Sequence, residues 1–152
     1  MVDQQRIVFL NGKFVPEAEA SLPIFDRGLL FADAVYEGFG ILDGQIVDFI
    51  YHMQRLEQSL AKIAIPITFT TDSMFNNMMA LIEKNAVKNG FLYLHVTRGA
   101  DDRAFHYHDA FLPNIFAFNF FSFRYILFKS VISNSPLIEG ITFLAFSITD
   151  SS

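Results

Sequence analysis

Apolar residues in the first third of the chain recur in the short, partly alternating runs that are typical of β-strands. Asn11-Gly12 interrupts the run of residues 7–15, and Asp43-Gly44 interrupts the run of residues 35–49. Both dipeptides favour the tight turns that join adjacent antiparallel strands. The pattern therefore predicts two β-hairpins in this part of the chain.

Apolar residues then recur at steps of three and four, which predicts two amphipathic helices. The first ends before Pro66, and its apolar stripe comprises Ile50, Met53, Leu56, Leu60 and Ile63. The second is capped by Thr71 or Asp72 and stops at Asn89-Gly90. Its expected core face comprises Phe75, Met78, Met79 and Ile82.

Two more strands are predicted after the helices, at residues 91–97 and at residues 114–118. Strands, then two helices, then further strands indicate an α+β fold in which the helices pack on one face of a mostly antiparallel sheet. Residues 119–152 differ from this body, because they carry only four charged residues and sustain no helical or strand period. We therefore expect one domain over residues 1–118 and a foreign tail over residues 119–152.

The composition argues against several classes of function. The net charge is −5 and the basic residues are scattered singly, so we expect no nucleic-acid binding. The chain has no cysteine, which excludes disulfides and thiolate metal sites and fits a cytoplasmic protein. Polar residues interrupt the apolar stretch of residues 111–132, so we expect no membrane span.

Candidate chemistry concentrates between residues 25 and 56. Arg27, Tyr36 and Arg55 could place two cations and a phenol around one hollow, which would suit an anionic ligand. Arginine binds phosphate or carboxylate through paired hydrogen bonds, and a phenol can complete such a site. His106 and His108 would face the same way on an extended segment, but two ligands are too few for a metal site, so none is expected.

Several ordered motifs resemble the N-terminal domain of the fold-type IV, or class IV, pyridoxal-phosphate (PLP) aminotransferases. They are Asn11-Gly12-Lys13-Phe14-Val15, Phe25-Asp26-Arg27-Gly28, Phe31-Ala32-Asp33-Ala34-Val35-Tyr36-Glu37, His52-Met53-Gln54-Arg55-Leu56 and Val96-Thr97-Arg98-Gly99. The resemblance covers about residues 6–118 and is strongest to the D-amino-acid (D-alanine) aminotransferases. The branched-chain aminotransferases and the aminodeoxychorismate lyases are related members of the same group.

The resemblance implies a cofactor, substrates and site residues. Arg55 matches the arginine that binds the PLP phosphate, and Tyr36 matches a tyrosine near the substrate carboxylate. Arg103 matches an arginine of the carboxylate-binding site, although Phe105 stands where the family has a histidine and His106 comes one position late. The implied reaction transfers an amino group between a D-amino acid and a 2-oxo acid, and the family also implies a homodimer.

The resemblance also implies a lysine that forms a Schiff base with the cofactor, and no position of this chain matches it. Lys129 is the only lysine after residue 100, and its neighbours match no family motif. We therefore expect no catalytic residue here and an inactive fragment whose tail arises from truncation or a frameshift. The alternatives are a non-catalytic fold or dimerisation module, or a relative of the branched-chain aminotransferases or aminodeoxychorismate lyases.

Overall fold

The structure is a computed structural model that describes residues 6–103, 105 and 111–121. The strands are β1 (Ile7–Leu10), β2 (Lys13–Pro16), β3 (Ala34–Leu42), β4 (Gln45–Ile46), β5 (Gly90–Thr97) and β6 (Asn114–Phe121). The helices are α1 (Arg27–Phe31), α2 (Phe49–Lys62) and α3 (Thr71–Lys84), and a 3-10 turn spans Glu17–Glu19.

The six strands form one antiparallel sheet in the order β2-β1-β6-β5-β3-β4. Both predicted hairpins are present, joining β1 to β2 and β3 to β4. Asn11 and Gly12 have φ values of 48° and 84°, and Asp43 and Gly44 have φ values of 50° and 75°. Positive φ at both central residues suits the twist of paired strands, which explains why these dipeptides mark the hairpins.

The helices cover one face of the sheet, as the pattern predicted. Leu92, Leu94 and Val96 alternate along β5 and are fully buried on that face. The side chains from the two long helices that bury deepest against them are Met53, Leu56 and Leu60 of α2 and Met74, Met78 and Leu81 of α3. The predicted α+β class is confirmed, and the core lies between the sheet and this helical layer.

The predicted helix faces were partly wrong. In α2 the buried positions run Phe49, Met53, Leu56 and Leu60, so Ile50 points about 100° away from the stripe and is 55% exposed. In α3 Met74 and Leu81 are buried instead of Phe75, which is 39% exposed and meets the Phe49 ring edge-on. The other main positions were predicted correctly, namely Met53, Leu56 and Leu60 of α2 and Met78 and Ile82 of α3.

The predicted ends of α3 were also wrong. Thr70 is the cap, and it exchanges hydrogen bonds with Ser73 in a capping box. The helix ends at Lys84, because the backbone turns to the left-handed conformation at Ala86, which has a φ of 51°. The side chain of Asn85 then bonds the backbone of Ile7 and the side chain of Asn119. Gly90 therefore begins β5 and does not terminate the helix.

The last strand is longer than predicted. Residues 114–118 are in β6 as expected, and pairing with β5 continues to Phe121 opposite Gly90. The predicted boundary after residue 118 therefore falls inside β6. The rest of the tail, with Lys129, lies outside the described residues, as do His106 and His108.

The sheet face away from the helices is lined by aromatic side chains, and we call it the open face. Tyr36 of β3, Tyr93 and His95 of β5, and Phe116 and Phe118 of β6 share this face through the strand register. Among the described residues, no helix has the length and apolar character needed to cross a membrane.

Candidate functional site

Tyr36 and Glu37 are adjacent in β3 and therefore point to opposite faces of the sheet. Tyr36 lies on the open face, is 63% exposed and stacks on Tyr93 with 5.3 Å between ring centroids. Glu37 points toward α2 and is only 3% exposed. A buried carboxylate needs partners, and α2 supplies them.

Glu37, His52 and Arg55 form a cluster that we call the Glu37 cluster. Arg55 donates from Nε to Oε1 of Glu37 at 2.7 Å and from Nη2 to Oε2 at 2.6 Å. Nδ1 of His52 lies 2.8 Å from the same Oε2. His52 and Arg55 are three residues apart in α2, so both reach the strand from one face of the helix.

The charges in this cluster stabilise each other. Burial of Glu37 opposes its ionisation, but hydrogen bonds and charge from Arg55 and His52 outweigh that effect and lower the pKa of Glu37. The hydrogen bonds from Arg55 to Glu37, together with the negative charge of Glu37 and the nearby Tyr36 phenol, raise the pKa of Arg55. Glu37 is therefore a fixed anion, and Arg55 is a fixed cation.

Arg55 keeps one side of its guanidinium accessible. The side chain is 46% exposed, although Nε and Nη2 are both bonded to Glu37. Nη1 has no hydrogen-bond partner among the residues that the structure describes. An arginine held on one edge and free on the other can still donate to an anionic ligand.

Tyr36 lies on the open face, whereas Arg55 bonds Glu37 on the helix side of the sheet, so the two predicted residues flank β3 from opposite sides. Behind Tyr36, the hydroxyl of Tyr93 lies 2.7 Å from Nδ1 of His95. Burial lowers the pKa of His95 and raises the pKa of Tyr93, so both side chains are neutral near pH 7. The part of the open face behind Tyr36 is thus aromatic, and Tyr93 and His95 carry no charge there.

Arg27 belongs to a different group of charges, the Asp33 cluster, which consists of Asp33, Arg27 and Arg98. Nε of Arg27 donates to Asp33 at 2.9 Å, and Arg27 is 6% exposed. Arg98 bonds both carboxylate oxygens of Asp33 and the carbonyls of Ile63 and Ala64. These contacts connect α1, the end of α2 and the end of β5, so they support a structural role for Arg27.

Arg103 is exposed and lies over the rings of Phe31 and Phe105, at 5.6 Å and 5.3 Å from their centroids. No contact between Arg103 and Tyr36 or Arg55 is seen in the described part of the chain. Its role at the substrate carboxylate stays a prediction, as do the roles of Tyr36 and Arg55. No group of three or more metal-binding side chains occurs among the described residues.

Sequence reasoning did not identify Glu37 as part of the site. A glutamate between Tyr36 and Gly38 in a strand could equally have faced solvent. The available signal was a charged residue inside an apolar strand, followed by a helix with His52 and Arg55 three positions apart. A buried carboxylate opposite two such donors forms a paired cluster.

Comparisons with known proteins agree with this geometry. Residues 34–124, more than half of the chain, match the model of the family described as Amino-transferase class IV. A protein of Methanocaldococcus jannaschii, provisionally named a branched-chain-amino-acid aminotransferase, is 36% identical over 62% of this chain and 33% of its own length. A D-alanine aminotransferase of Staphylococcus epidermidis is 34% identical over 63% of this chain and 34% of its own length.

The solved structures show the same fold at low sequence identity. The Escherichia coli branched-chain amino acid aminotransferase superposes with a TM-score of 0.73 and 18% identity, covering 78% of this chain and 40% of that one. The chain therefore spans about a third of the length of the curated relatives described above. The family match and the shared fold together establish that this chain belongs to the class IV aminotransferases, a PLP-dependent family.

Proposed function

We propose that this domain forms the phosphate-binding and substrate-facing wall of a PLP-dependent amino acid aminotransferase site. Arg55 binds the cofactor phosphate, and Tyr36 faces the substrate. The proposal is supported by the contacts of Arg55, whose guanidinium is fixed by Glu37 on one edge and has no partner on the other edge in the part of the chain that the structure describes. Aminotransferases of this family act on amino acids and 2-oxo acids, which are the proposed substrate classes.

The residues fit a phosphorylated cofactor. A phosphate dianion needs charged donors that keep their protons, and Glu37 raises the pKa of Arg55. On the open face the stacked rings of Tyr36 and Tyr93 offer an aromatic surface, which suits a planar pyridine ring. When bound, PLP supplies the electron sink for amino-group transfer, and the protein supplies binding and orientation.

The exposure of Tyr36 and its packing against Tyr93 support a role for Tyr36 in facing the substrate. Its ring is fixed by stacking on Tyr93, while 63% of the residue remains exposed. A phenol held in this way can donate to a substrate carboxylate. Arg103 is the proposed second carboxylate donor, on the strength of its position in the family motif.

The proposed substrate is a D-amino acid with a 2-oxo acid acceptor, because the ordered motifs resemble those of the D-alanine aminotransferases. A branched-chain amino acid is the second candidate. The M. jannaschii relative with the branched-chain name is 36% identical, against 34% for the S. epidermidis D-alanine aminotransferase. Phe105 in place of the family histidine also separates this chain from the D-amino-acid pattern.

Calorimetric titration with pyridoxamine 5′-phosphate tests the role of Arg55. This ligand carries the phosphate but no aldehyde, so surface lysines cannot trap it covalently. We expect saturable binding that Arg55→Gln weakens about 10- to 100-fold, the worth of charge-assisted hydrogen bonds. Lys62→Gln removes the same charge from the exposed end of α2 and is the matched control. Equal affinities for wild type and Arg55→Gln would refute the proposal.

Borohydride reduction of the chain with PLP, followed by mass spectrometry, tests the catalytic half of the proposal. A single lysine adduct that D-alanine or L-leucine suppresses would support transaminase chemistry and identify the preferred substrate. A folded chain that binds no pyridoxamine 5′-phosphate and forms no adduct would instead support the non-catalytic alternative.

A further inference from the structure

Glu37 differs from the carboxylate of an ordinary surface salt bridge in its burial and in the number of its hydrogen bonds. It is 3% exposed, and both of its carboxylate oxygens accept hydrogen bonds from Arg55. Two parallel bonds fix the plane of the guanidinium as well as its position, which a single bond cannot do. His52 adds a third contact at 2.8 Å to the same carboxylate, so both partners of Glu37 come from α2.

The orientation imposed by these bonds decides which edge of Arg55 is available. Nε and Nη2 point into the protein toward Glu37, and Nη1 lies on the opposite side of the guanidinium. The side chain is 46% exposed, so without Glu37 it could adopt many rotamers over the surface of α2. An arginine ordered before its ligand arrives loses less entropy when it binds.

We propose that Glu37 is a positioning residue that orients Arg55 with its outer edge toward the cofactor phosphate. The proposal rests on the proposed function, in which Arg55 binds that phosphate. Glu37 does not touch the ligand in this account, since it is buried beneath the guanidinium. It acts through Arg55 alone.

The Asp33 cluster provides a matched control. Asp33 is also a carboxylate that pairs with arginine, and Asp33→Asn disturbs a comparable network, for which no contact with Arg55 is seen among the described residues. If Glu37 were only structural, Glu37→Gln and Asp33→Asn would change ligand affinity equally, in proportion to the unfolded fraction. A positioning role predicts a loss of affinity for Glu37→Gln alone, measured well below the unfolding temperature.

Two measurements on the full chain test the proposal. In ¹H–¹⁵N spectra we expect a protected Arg55 Nε–H signal that disappears in Glu37→Gln and persists in Asp33→Asn. In titrations with pyridoxamine 5′-phosphate we expect Glu37→Gln to weaken binding about tenfold, equivalent to ordering one long side chain. Restoring the carboxylate with Glu37→Asp, which is one methylene shorter, should recover only part of the affinity.

The outcomes separate this inference from the proposed function. Unchanged affinity in Glu37→Gln, with binding by the wild type, overturns the inference and leaves the role of Arg55 intact. If the wild type binds no pyridoxamine 5′-phosphate, the proposed function fails, and the Arg55 signal alone decides whether Glu37 orients the guanidinium. A signal that persists in Glu37→Gln overturns the inference in either case.

Discussion

The Asp33 cluster and the Glu37 cluster combine the same functional groups in different ways. Arg98 is 3% exposed and uses Nε, Nη1 and Nη2 to bond Asp33 and two backbone carbonyls. Among the described residues Arg55 bonds Glu37 and His52 alone, and nearly half of its side chain is exposed. An arginine whose donors are all directed into the protein stabilises the fold, whereas one with a free edge can also bind a ligand.

Of the substitutions in the two clusters, we expect Arg98→Met to reduce the stability of the domain most. This substitution leaves Asp33 without its bidentate partner and the carbonyls of Ile63 and Ala64 without their donors. We expect a loss of about 3–5 kcal/mol in the free energy of unfolding, the usual cost of breaking a buried pair. Denaturant unfolding followed by circular dichroism measures it, and a loss below about 1 kcal/mol would contradict a structural role for the Asp33 cluster.

Arg55→Met should destabilise the domain less. His52 remains beside Glu37, and Arg55 is already half in water, so we expect a loss of about 1–3 kcal/mol. The same unfolding experiment measures this loss, with Lys62→Met on α2 as the control for removing one exposed charge. If Arg55→Met proved more costly than Arg98→Met, the division between a structural and a ligand-binding arginine would be wrong.

A smaller effect is expected in acid. Burial opposes ionisation of both carboxylates, but their arginine and histidine partners lower the pKa of Glu37 below its ordinary 4.5 and that of Asp33 below its ordinary 3.8. Because the folded pKa values lie below the unfolded ones, the stabilisation is complete above the ordinary values. It is lost as the pH falls through the folded values.

Unfolding experiments between about pH 6 and pH 3 can assign this loss to each cluster. Glu37→Gln and Asp33→Asn should each be less stable than wild type at neutral pH, and each should lose less further stability on acidification. A variant whose stability falls as steeply as that of the wild type would show that its carboxylate does not contribute to the acid transition.

Local sequence signals predicted much of the fold. The Asn11-Gly12 and Asp43-Gly44 turns were recognisable because their conformation requires positive φ at both central residues. The helices were recognisable from their period, but the exact face was not. Ile50 and Phe75 fit an apolar stripe as well as their buried neighbours do, and only the position of the sheet decides which are buried.

The site was less predictable because it depends on contacts between distant parts of the chain. Family motifs identified Tyr36 and Arg55 as candidates, and the structure places Tyr36 on the open face and Arg55 against Glu37 on the helix side. The motifs did not show that Glu37 would be buried against α2, because burial depends on how the helix packs on β3. From the sequence alone, Arg27 and Arg55 were both predicted to line the anion-binding hollow. In the structure Arg27 instead pairs with Asp33 inside the domain.

The most direct test of the account follows Arg55 and Arg98 in one experiment. Their Nε–H signals can be recorded in the same ¹H–¹⁵N spectrum while pyridoxamine 5′-phosphate is added to the wild-type chain. The account predicts that the Arg55 signal shifts saturably and that the Arg98 signal, from an arginine whose donors point into the protein, stays in place. A titration in which Arg55 does not move, or in which both signals move together, would contradict it.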